Sequence, residues 1–497
     1  MTARALMFQG TGSDVGKSVI VAGLCRLASN RGLRVAPFKP QNMSNNAAVC
    51  SDGGEIGRAQ ALQARACRLP LSVHFNPVLL KPQSDKDAQV VVHGRAVEVQ
   101  PARQYMQKKR MSLLPRVLES FDHLKQQYDL VLIEGAGSAA EVNLREGDIA
   151  NMGFARAADI PVCIIADIDR GGVIASLAGT HAILGEEDRR LIQSFIINKF
   201  RGDPSLFDEG LEFIQNYTGW RSEGVIPWLP VIRKLPQEDA VPLERSLLET
   251  NTNDQAMIRI AAPMLPRIAN FDDLDPLKLE PGVEVIFVPP GKAIPIDVDA
   301  VILLGTKSAI ADLRFLREQG WHHEVQSLAR AGKTILGICG GYQMLGTELR
   351  DPAGYDGQPG MEAGLGLLDV ETTMRADKTS RQNHGHHHEA GHQVSGYEIH
   401  SGKTTGADTV RPYLTLETGP DGAVAENHRI YGTYLHGLFT SDGFRGYWLK
   451  SLRSDFHVDS SADSFMHYEA TVDRVLDELA SDLEKHLDVD SLLASAC

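Results

Sequence analysis

The sequence predicts an α/β protein of two domains, each built on a mostly parallel sheet flanked by helices. Three observations carry this. At 497 residues the chain is too long for one compact core. Short apolar runs alternate with amphipathic stretches through both halves, the pattern of buried strands and crossover helices. The alternation lapses once, over residues 236–256, into Pro, Glu, Asn and Thr without periodicity, which is the composition of a linker. The expected division is a first domain over residues 1–235, that linker, and a second domain over residues 257–497.

In the first half, strands are expected at residues 5–9, 34–38, 129–133, 161–166, 193–198 and 224–227. Helices are expected between them, notably over residues 18–30 and 102–127. In the second half, strands are expected at residues 257–262, 284–288, 300–304, 334–338, 394–399 and 430–434. Residues 469–494 place Val472, Val475, Leu476, Leu479 and Leu483 at helical spacing, so a helix docked on the second domain should close the chain. In open parallel sheets ligands gather beyond the carboxyl ends of the strands. Nearly all the glycine-rich and acidic motifs fall at such ends.

Composition narrows the function. Asp and Glu number 64 against 50 Lys and Arg, a net charge of −14, which argues against non-specific nucleic-acid binding and does little to attract an anionic membrane. Neither partner is expected; a homo-oligomer stays open. The six cysteines (Cys25, Cys50, Cys67, Cys163, Cys339 and Cys497) form no C-x-x-C pair and fit a reducing compartment. The opening apolar stretch is too short for a signal segment, so the cytoplasm is the expectation.

Gly10-Thr-Gly-Ser-Asp-Val-Gly-Lys-Ser18 follows the first strand and opens a helix. Backbone N–H groups and a helix N-terminus would face a phosphate there, with Gly12 and Gly16 allowing close approach and Lys17 neutralising charge. Ser18 would offer a hydroxyl to Mg2+ beside ATP. The spacing departs from the usual phosphate-binding loop, because Thr11 stands where its first glycine would be. Glu134 closes a strand in Ile133-Glu-Gly-Ala-Gly137, within reach of such a metal, and Asp167 closes another in Ala166-Asp-Ile-Asp-Arg-Gly-Gly172. The plain alternative for Asp167 or Asp169 is a turn or helix-cap aspartate. This loop resembles that of the dethiobiotin synthetase-like family, whose members activate a carboxylate or carbamate with ATP. The resemblance extends over about the first 235 residues. It implies that Asn198-Lys199 reads the purine.

Leu336-Gly-Ile-Cys-Gly-Gly-Tyr-Gln-Met-Leu345 puts a cysteine on a sharp turn between an apolar strand and a helix. Small neighbours admit a substrate, the helix N-terminus favours a thiolate, and the Gly340 N–H can stabilise an oxyanion. A buried cysteine acting only as a small apolar side chain is the plain alternative. The motif closely resembles the nucleophile elbow of class I glutamine amidotransferases. That resemblance makes Cys339 the nucleophile, the Gly305 loop in Leu303-Leu-Gly-Thr-Lys-Ser308 a second oxyanion donor, and His436 in Tyr431-Gly-Thr-Tyr-Leu-His-Gly-Leu-Phe439 the general base. The glutamate usual two residues after this histidine is absent, since Leu438 stands there. This departure is shared by the corrinoid-amidating and related cell-wall subgroup, and it leaves open what orients His436.

Together the motifs resemble the cobyric acid synthase (CobQ-type) family over essentially the whole chain. The distinguishing stretch is Phe38-Lys-Pro-Gln-Asn-Met-Ser-Asn-Asn-Ala47. Glu134-Gly-Ala-Gly-Ser138, Asp148-Ile-Ala-Asn-Met152, Asp167-Ile-Asp-Arg-Gly-Gly172 and Gly396-Tyr-Glu-Ile-His400 also match that family's pattern. The resemblance implies amidation of the b, d, e and g carboxylates of adenosylcobyrinic acid a,c-diamide, through acyl phosphates, with glutamine as nitrogen donor. The amides of Gln41, Asn42, Asn45 and Asn46 suit the polar rim of a corrinoid, although an Asn-rich turn would look the same. Rivals are cobyrinic acid a,c-diamide synthase, a cell-wall carboxylate amidase, and a phosphate-loop switch ATPase, which would have no use for Cys339 and His436. Asn383-His-Gly-His-His-His-Glu-Ala-Gly-His392 offers imidazole pairs but no flanking strand or helix, so a solvated loop is expected and no metal is assigned. Deleting residues 385–391 should then leave turnover within a few-fold of the parent.

Overall fold

The structure, a computed structural model, describes residues 3–82, 87–101, 110–236, 257–453 and 466–497. The chain forms two compact units. The first is Met1–Ser44, Gly54–Leu235 and Val472–Cys497; the second is Asn45–Gly53 and Pro236–Thr471. Among the described residues no helix is long and apolar enough to cross a membrane.

In the first unit, strands β1 (Arg4–Gly10), β2 (Val35–Phe38), β3 (Leu130–Glu134), β4 (Val162–Asp167), β5 (Ile192–Phe200) and β6 (Arg221–Pro227) make one parallel sheet. Its order is β6-β5-β4-β1-β3-β2. The central strands are buried along nearly their whole length, which is why they read as continuous apolar runs. With β1 between β3 and β4, the loop after β1 lies beside the carboxyl ends of both. Phe8 pairs with Glu134, and Asp167 at the end of β4 pairs with Asn198 of β5. The helix expected over residues 102–127 is observed as Arg110–Gln127; residues 102–109 lie outside the described residues.

In the second unit, β7 (Ile258–Pro263), β8 (Val283–Val288), β9 (Ala300–Leu303), β10 (Thr334–Ile338), β11 (Glu371–His387), β12 (Gln393–Thr405), β13 (Ala423–Val424) and β14 (Ile430–Thr433) carry the architecture. One sheet runs β8-β7-β9-β10-β14-β13, parallel except at its β13 edge. The long hairpin of β11 and β12 belongs to a second sheet.

The packing departs from expectation in three places. The closing helix is broken in two, Tyr468–His486 and Val489–Ala494, where Asp488 caps the second by accepting from Ser491 N. From Val472 onward it packs into the first unit, not the second. Its buried stripe of Val472, Val475, Leu476, Leu479 and Leu483 is fixed there by Asp473, which binds Arg26 at 2.5 Å and Arg65 at 2.9 Å. Second, Asn45–Gly53 packs into the second unit although its sequence neighbours belong to the first. Ala47, Ala48 and Val49 are buried, and Gln382 donates to the Val49 carbonyl at 2.9 Å. Third, the histidine-rich stretch is no irregular loop. His384, His386 and His387 lie on β11, where Gly385 pairs with both Val394 and Leu416. His387 is buried against Tyr413, Phe444 and Tyr447, and that burial pushes its pKa down to about 4. Among the described residues no group of three or more metal-ligating side chains gathers. Deleting residues 385–391 would remove part of a paired strand, so the expected tolerance does not follow.

Candidate active sites

Strand β10 is buried on both faces and ends at Cys339, whose φ of 53° and ψ of −109° lie where L-residues rarely settle. Such strain costs about 1–3 kcal/mol and persists only where the surroundings enforce it. Here Cys339 N donates to the Thr433 carbonyl at 2.8 Å, and the helix Gly340–Leu345 begins at once. A side chain at position 341 would place its Cβ 1.9 Å from the Leu303 carbonyl oxygen, so this close crossing over β9 requires glycine. The Cys339 thiol lies 3.6 Å from the Ile399 carbonyl on β12.

His436 follows β14 and is buried. Its Nδ1 lies 2.7 Å from Asp273 Oδ2, and each side chain is 1% exposed. The Gly437 N–H donates to the other oxygen of Asp273 at 2.7 Å. Burial alone would push the imidazole pKa down. The Asp273 carboxylate and the hydrogen-bonded Cys339 sulfur overcome burial and lift it to about 10. The Tyr397 ring stacks on the imidazole, 5.2 Å between centroids and 17° between planes.

Asp273 sits in a short 3-10 turn, Phe271–Leu274, entered through Asn270 in the left-handed conformation. The backbone just before it pairs with the Gly305 loop: Ala269 N donates to the Gly305 carbonyl and Lys307 N to that of Arg267. Thr306 Oγ1 donates to buried Asp312 at 2.5 Å, and burial pushes that carboxyl up to about 6. A Cβ at Gly305 would fall 2.9 Å from His436 Cε1. Cys339, His436, Gly340 and Gly305 are therefore brought to one place, as their motifs suggested. Asp273, which orients His436, was missed; it is one acid in Asp272-Asp-Leu-Asp275 and lies 163 positions from its partner, with no local signal.

In the first unit, Gly16 is left-handed at the start of the helix Lys17–Asn30. Lys17 Nζ donates to the carbonyls of Gly12 at 2.9 Å and Gly137 at 2.8 Å. Ser18 Oγ donates to Glu134 Oε1 at 2.7 Å. The same oxygen accepts from Lys39 Nζ at 2.8 Å, and Gln63 donates to Oε2 at 2.6 Å. Burial raises the Glu134 pKa, but Lys39 and the hydrogen bonds outweigh it and hold the carboxyl below its usual range. Lys39 follows β2 and, although it lies within the distinguishing stretch Phe38–Ala47, was given no role from sequence.

Asn198 donates to the Val15 carbonyl at 2.8 Å, and Lys199 to the Asp14 carbonyl at 2.5 Å and to Asp167 at 2.8 Å. These side chains clamp the phosphate loop from behind. Asp167 pairs with Lys199 and, at 3.6 Å, with Arg170. Of the expected corrinoid contacts, Gln41 and Asn42 belong to the first unit and Asn45 and Asn46 to the second. Asn42 is buried, donates to Gln60 at 3.0 Å and accepts from Met43 N, whereas Asn46 is buried in the second unit and accepts from Asn270 N. Both amides hold protein partners. Gln41 is buried, and Asn45 keeps a buried Oδ1 without a hydrogen-bond partner among the described residues.

Fold and site together define a class: a phosphate-loop nucleotide-binding unit carried in one chain with a cysteine-dependent glutamine amidotransferase unit. Residues 6–243 match the CobQ/CobB/MinD/ParA nucleotide binding domain, and residues 259–444 match the CobB/CobQ-like glutamine amidotransferase domain. Cobyric acid synthase of Hyphomonas neptunium is 57% identical over 496 residues, covering 100% of this chain and 98% of that protein. Cobyric acid synthase of Brucella suis biovar 1 is 56% identical, covering 99% of this chain and 100% of that protein. Among solved structures, the cell-division protein MinD of Aquifex aeolicus is 14% identical, with a TM-score of 0.29 over 46% of this chain and 85% of that one. The chain belongs to the cobyric acid synthase family.

Proposed function

We propose that the chain converts corrinoid carboxylates into amides in cobalamin biosynthesis, with glutamine as nitrogen donor and ATP as activator. Its substrate is adenosylcobyrinic acid a,c-diamide, amidated at the b, d, e and g positions to adenosylcobyric acid. The observation that carries this is the buried Cys339–His436–Asp273 array in one chain with a phosphate loop whose Ser18 meets Glu134. A switch ATPase has no use for the first, and a free-standing glutaminase has none for the second.

With its pKa lifted to about 10, the His436 imidazole holds a proton beside the Cys339 sulfur, which is the nucleophile. Sulfur attacks the glutamine carboxamide, and the N–H groups of Gly340 and the Gly305 loop receive the oxyanion. His436 gives its proton to the departing ammonia, and a thioester remains. The ring then takes a proton from water as it hydrolyses that thioester to glutamate. Asp273 holds the ring so that Nε2 faces sulfur.

In the other unit a corrinoid carboxylate oxygen attacks the γ-phosphorus of ATP, ADP leaves, and an acyl phosphate forms. Ammonia adds to the acyl carbon, phosphate leaves, and loss of a proton gives the amide. Lys17 and Lys39 place positive charge beside the transferring group. Ser18 and Glu134 are hard oxygen donors side by side, which fits Mg2+, an ion that takes few protein ligands and completes its shell with phosphate oxygens and water. Bound there, the ion would neutralise charge on the phosphoryl oxygens. Asn45, whose amide oxygen has no hydrogen-bond partner among the described residues, is the remaining candidate among the Asn-rich side chains for a corrinoid amide. A reducing cytoplasm suits a thiol nucleophile that must stay unoxidised.

The test is incubation of the purified protein with ATP, Mg2+ and glutamine labelled at its amide nitrogen, offered with a panel of corrinoid acids. Label should enter adenosylcobyrinic acid a,c-diamide, stepwise and only with ATP. Label entering only cobyrinic acid, or no corrinoid at all, would contradict the substrate assignment.

A further inference from the structure

Asn46 and its neighbour Ala47 hold Asn270 through two hydrogen bonds inside the second unit. The Asn270 N–H donates to Asn46 Oδ1 at 2.6 Å, and the Ala47 N–H donates to Asn270 Oδ1 at 3.1 Å. Both side chains are buried, 4% and 2% exposed. Asn270 is left-handed, φ 55°, and its carbonyl accepts from Asp273 N, so it sets the start of the turn that carries Asp273. An error there passes directly to the 2.7 Å bond between Asp273 and His436. The same short stretch, residues 39–46, begins at Lys39, whose ammonium grips Glu134 beside Ser18 of the phosphate loop. Midway, Asn42 is held by Gln60, which itself reaches Glu134 at 3.4 Å. Every one of these bonds lies within a single unit; the link between the two sets is the covalent chain itself.

We propose that Asn46 is a positioning residue for the glutaminase, and that residues 39–46 report the state of the ATP site to the Cys339–His436–Asp273 array. ATP, arriving with its metal ion, competes for Glu134 and for the Lys39 charge. Any shift at Lys39 is carried along a short, mostly buried segment to Asn46, and through Asn270 to the turn that aims Asp273. This inference rests on the glutaminase reading given above.

The test uses the full chain and three variants: Asn46→Ala, Asn46→Asp and Asn270→Gly. Asn46→Asp keeps an acceptor for Asn270 N–H, and Asn270→Gly keeps the left-handed backbone while removing the amide. Glutamate release gives kcat and KM for glutamine hydrolysis, with and without ATP and corrinoid substrate. Amide formation from ammonium salt gives the synthetase rate. Asn46→Ala and Asn270→Gly should lose about ten- to a hundredfold in glutaminase kcat, the scale of a small misplacement of reacting groups. KM for glutamine and ammonium-supported amidation should stay at parental values, and Asn46→Asp should recover most of the loss. The change in glutaminase kcat that ATP and corrinoid cause in the parent should vanish in both crippled variants. Parental kcat in the variants, or equal loss from both nitrogen sources, would overturn the inference. A parent without glutaminase activity would instead sink the reading on which it rests.

Discussion

At His436 two physical demands oppose each other. Full burial favours the neutral ring, whereas Asp273 on Nδ1 and Cys339 on the other side favour the imidazolium, and the second influence prevails. Replacing Asp273 by Asn keeps shape but removes the charge, and lets the amide turn a donor toward Nδ1, which selects the wrong tautomer. Glutamine hydrolysis by Asp273→Asn should fall by about a hundred- to ten-thousandfold in kcat. Stability should respond as well. A histidine whose folded pKa is raised stabilises the fold fully below its unfolded value of 6.5, and that contribution is lost as pH rises through about 10. The melting-temperature advantage of the parent over Asp273→Asn should therefore be largest below 6.5 and shrink across that window. A difference that grows with pH would show that the pair is not held as imidazolium and carboxylate. Cys339 and His436 could be found from sequence because each sits in a short strand-to-turn motif. Asp273 could not, because its role arises only when a turn from far upstream folds against His436 and Gly437.

At the scale of elements, most of the parallel strands were legible because burial on both faces leaves unbroken apolar runs. Of the β11–β12 hairpin only part of β12 was, as the strand expected at residues 394–399; β11 was not. That strand, Glu371–His387, is rich in His, Gly, Gln and Asn, and it is held by pairing and by polar clasps such as Arg381 and Asn383 on Glu398. Burial pushes the Glu398 carboxyl up, but hydrogen bonds from His400, Arg381 and Asn383 hold it down at about 2. The C-terminal helix was legible as a helix, but an apolar stripe does not state which core it covers. Its packing makes a separable forecast. Leu479, 1% exposed, belongs to the first unit, so Leu479→Ala should cost about 2–5 kcal/mol there. On heating, ammonium-supported amidation should fail at a lower temperature than in the parent, while glutamine hydrolysis should persist to the parental temperature. Loss of glutaminase first would return this helix to the second unit.

At the scale of the molecule, the two chemistries fall to two compact units, yet the chain does not divide between them in sequence order. Asn45–Gly53 crosses to the second unit and Val472–Cys497 returns to the first. Composition, loops and elbow made the two-domain plan readable. The two exchanged segments were hidden, because apolar residues such as Ala47–Val49 serve equally well in either core. The division of labour is the central claim, and Cys339→Ala tests it most directly. The measurement is corrinoid amide product by mass spectrometry, with glutamine or a high concentration of ammonium salt as nitrogen source and folding checked by thermal melting. The account predicts no product from glutamine and sustained product from ammonium, at a rate that rises with pH because only neutral ammonia is nucleophilic. A folded Cys339→Ala protein that still consumes glutamine at the parental rate, or one that forms no amide from ammonium, would contradict it.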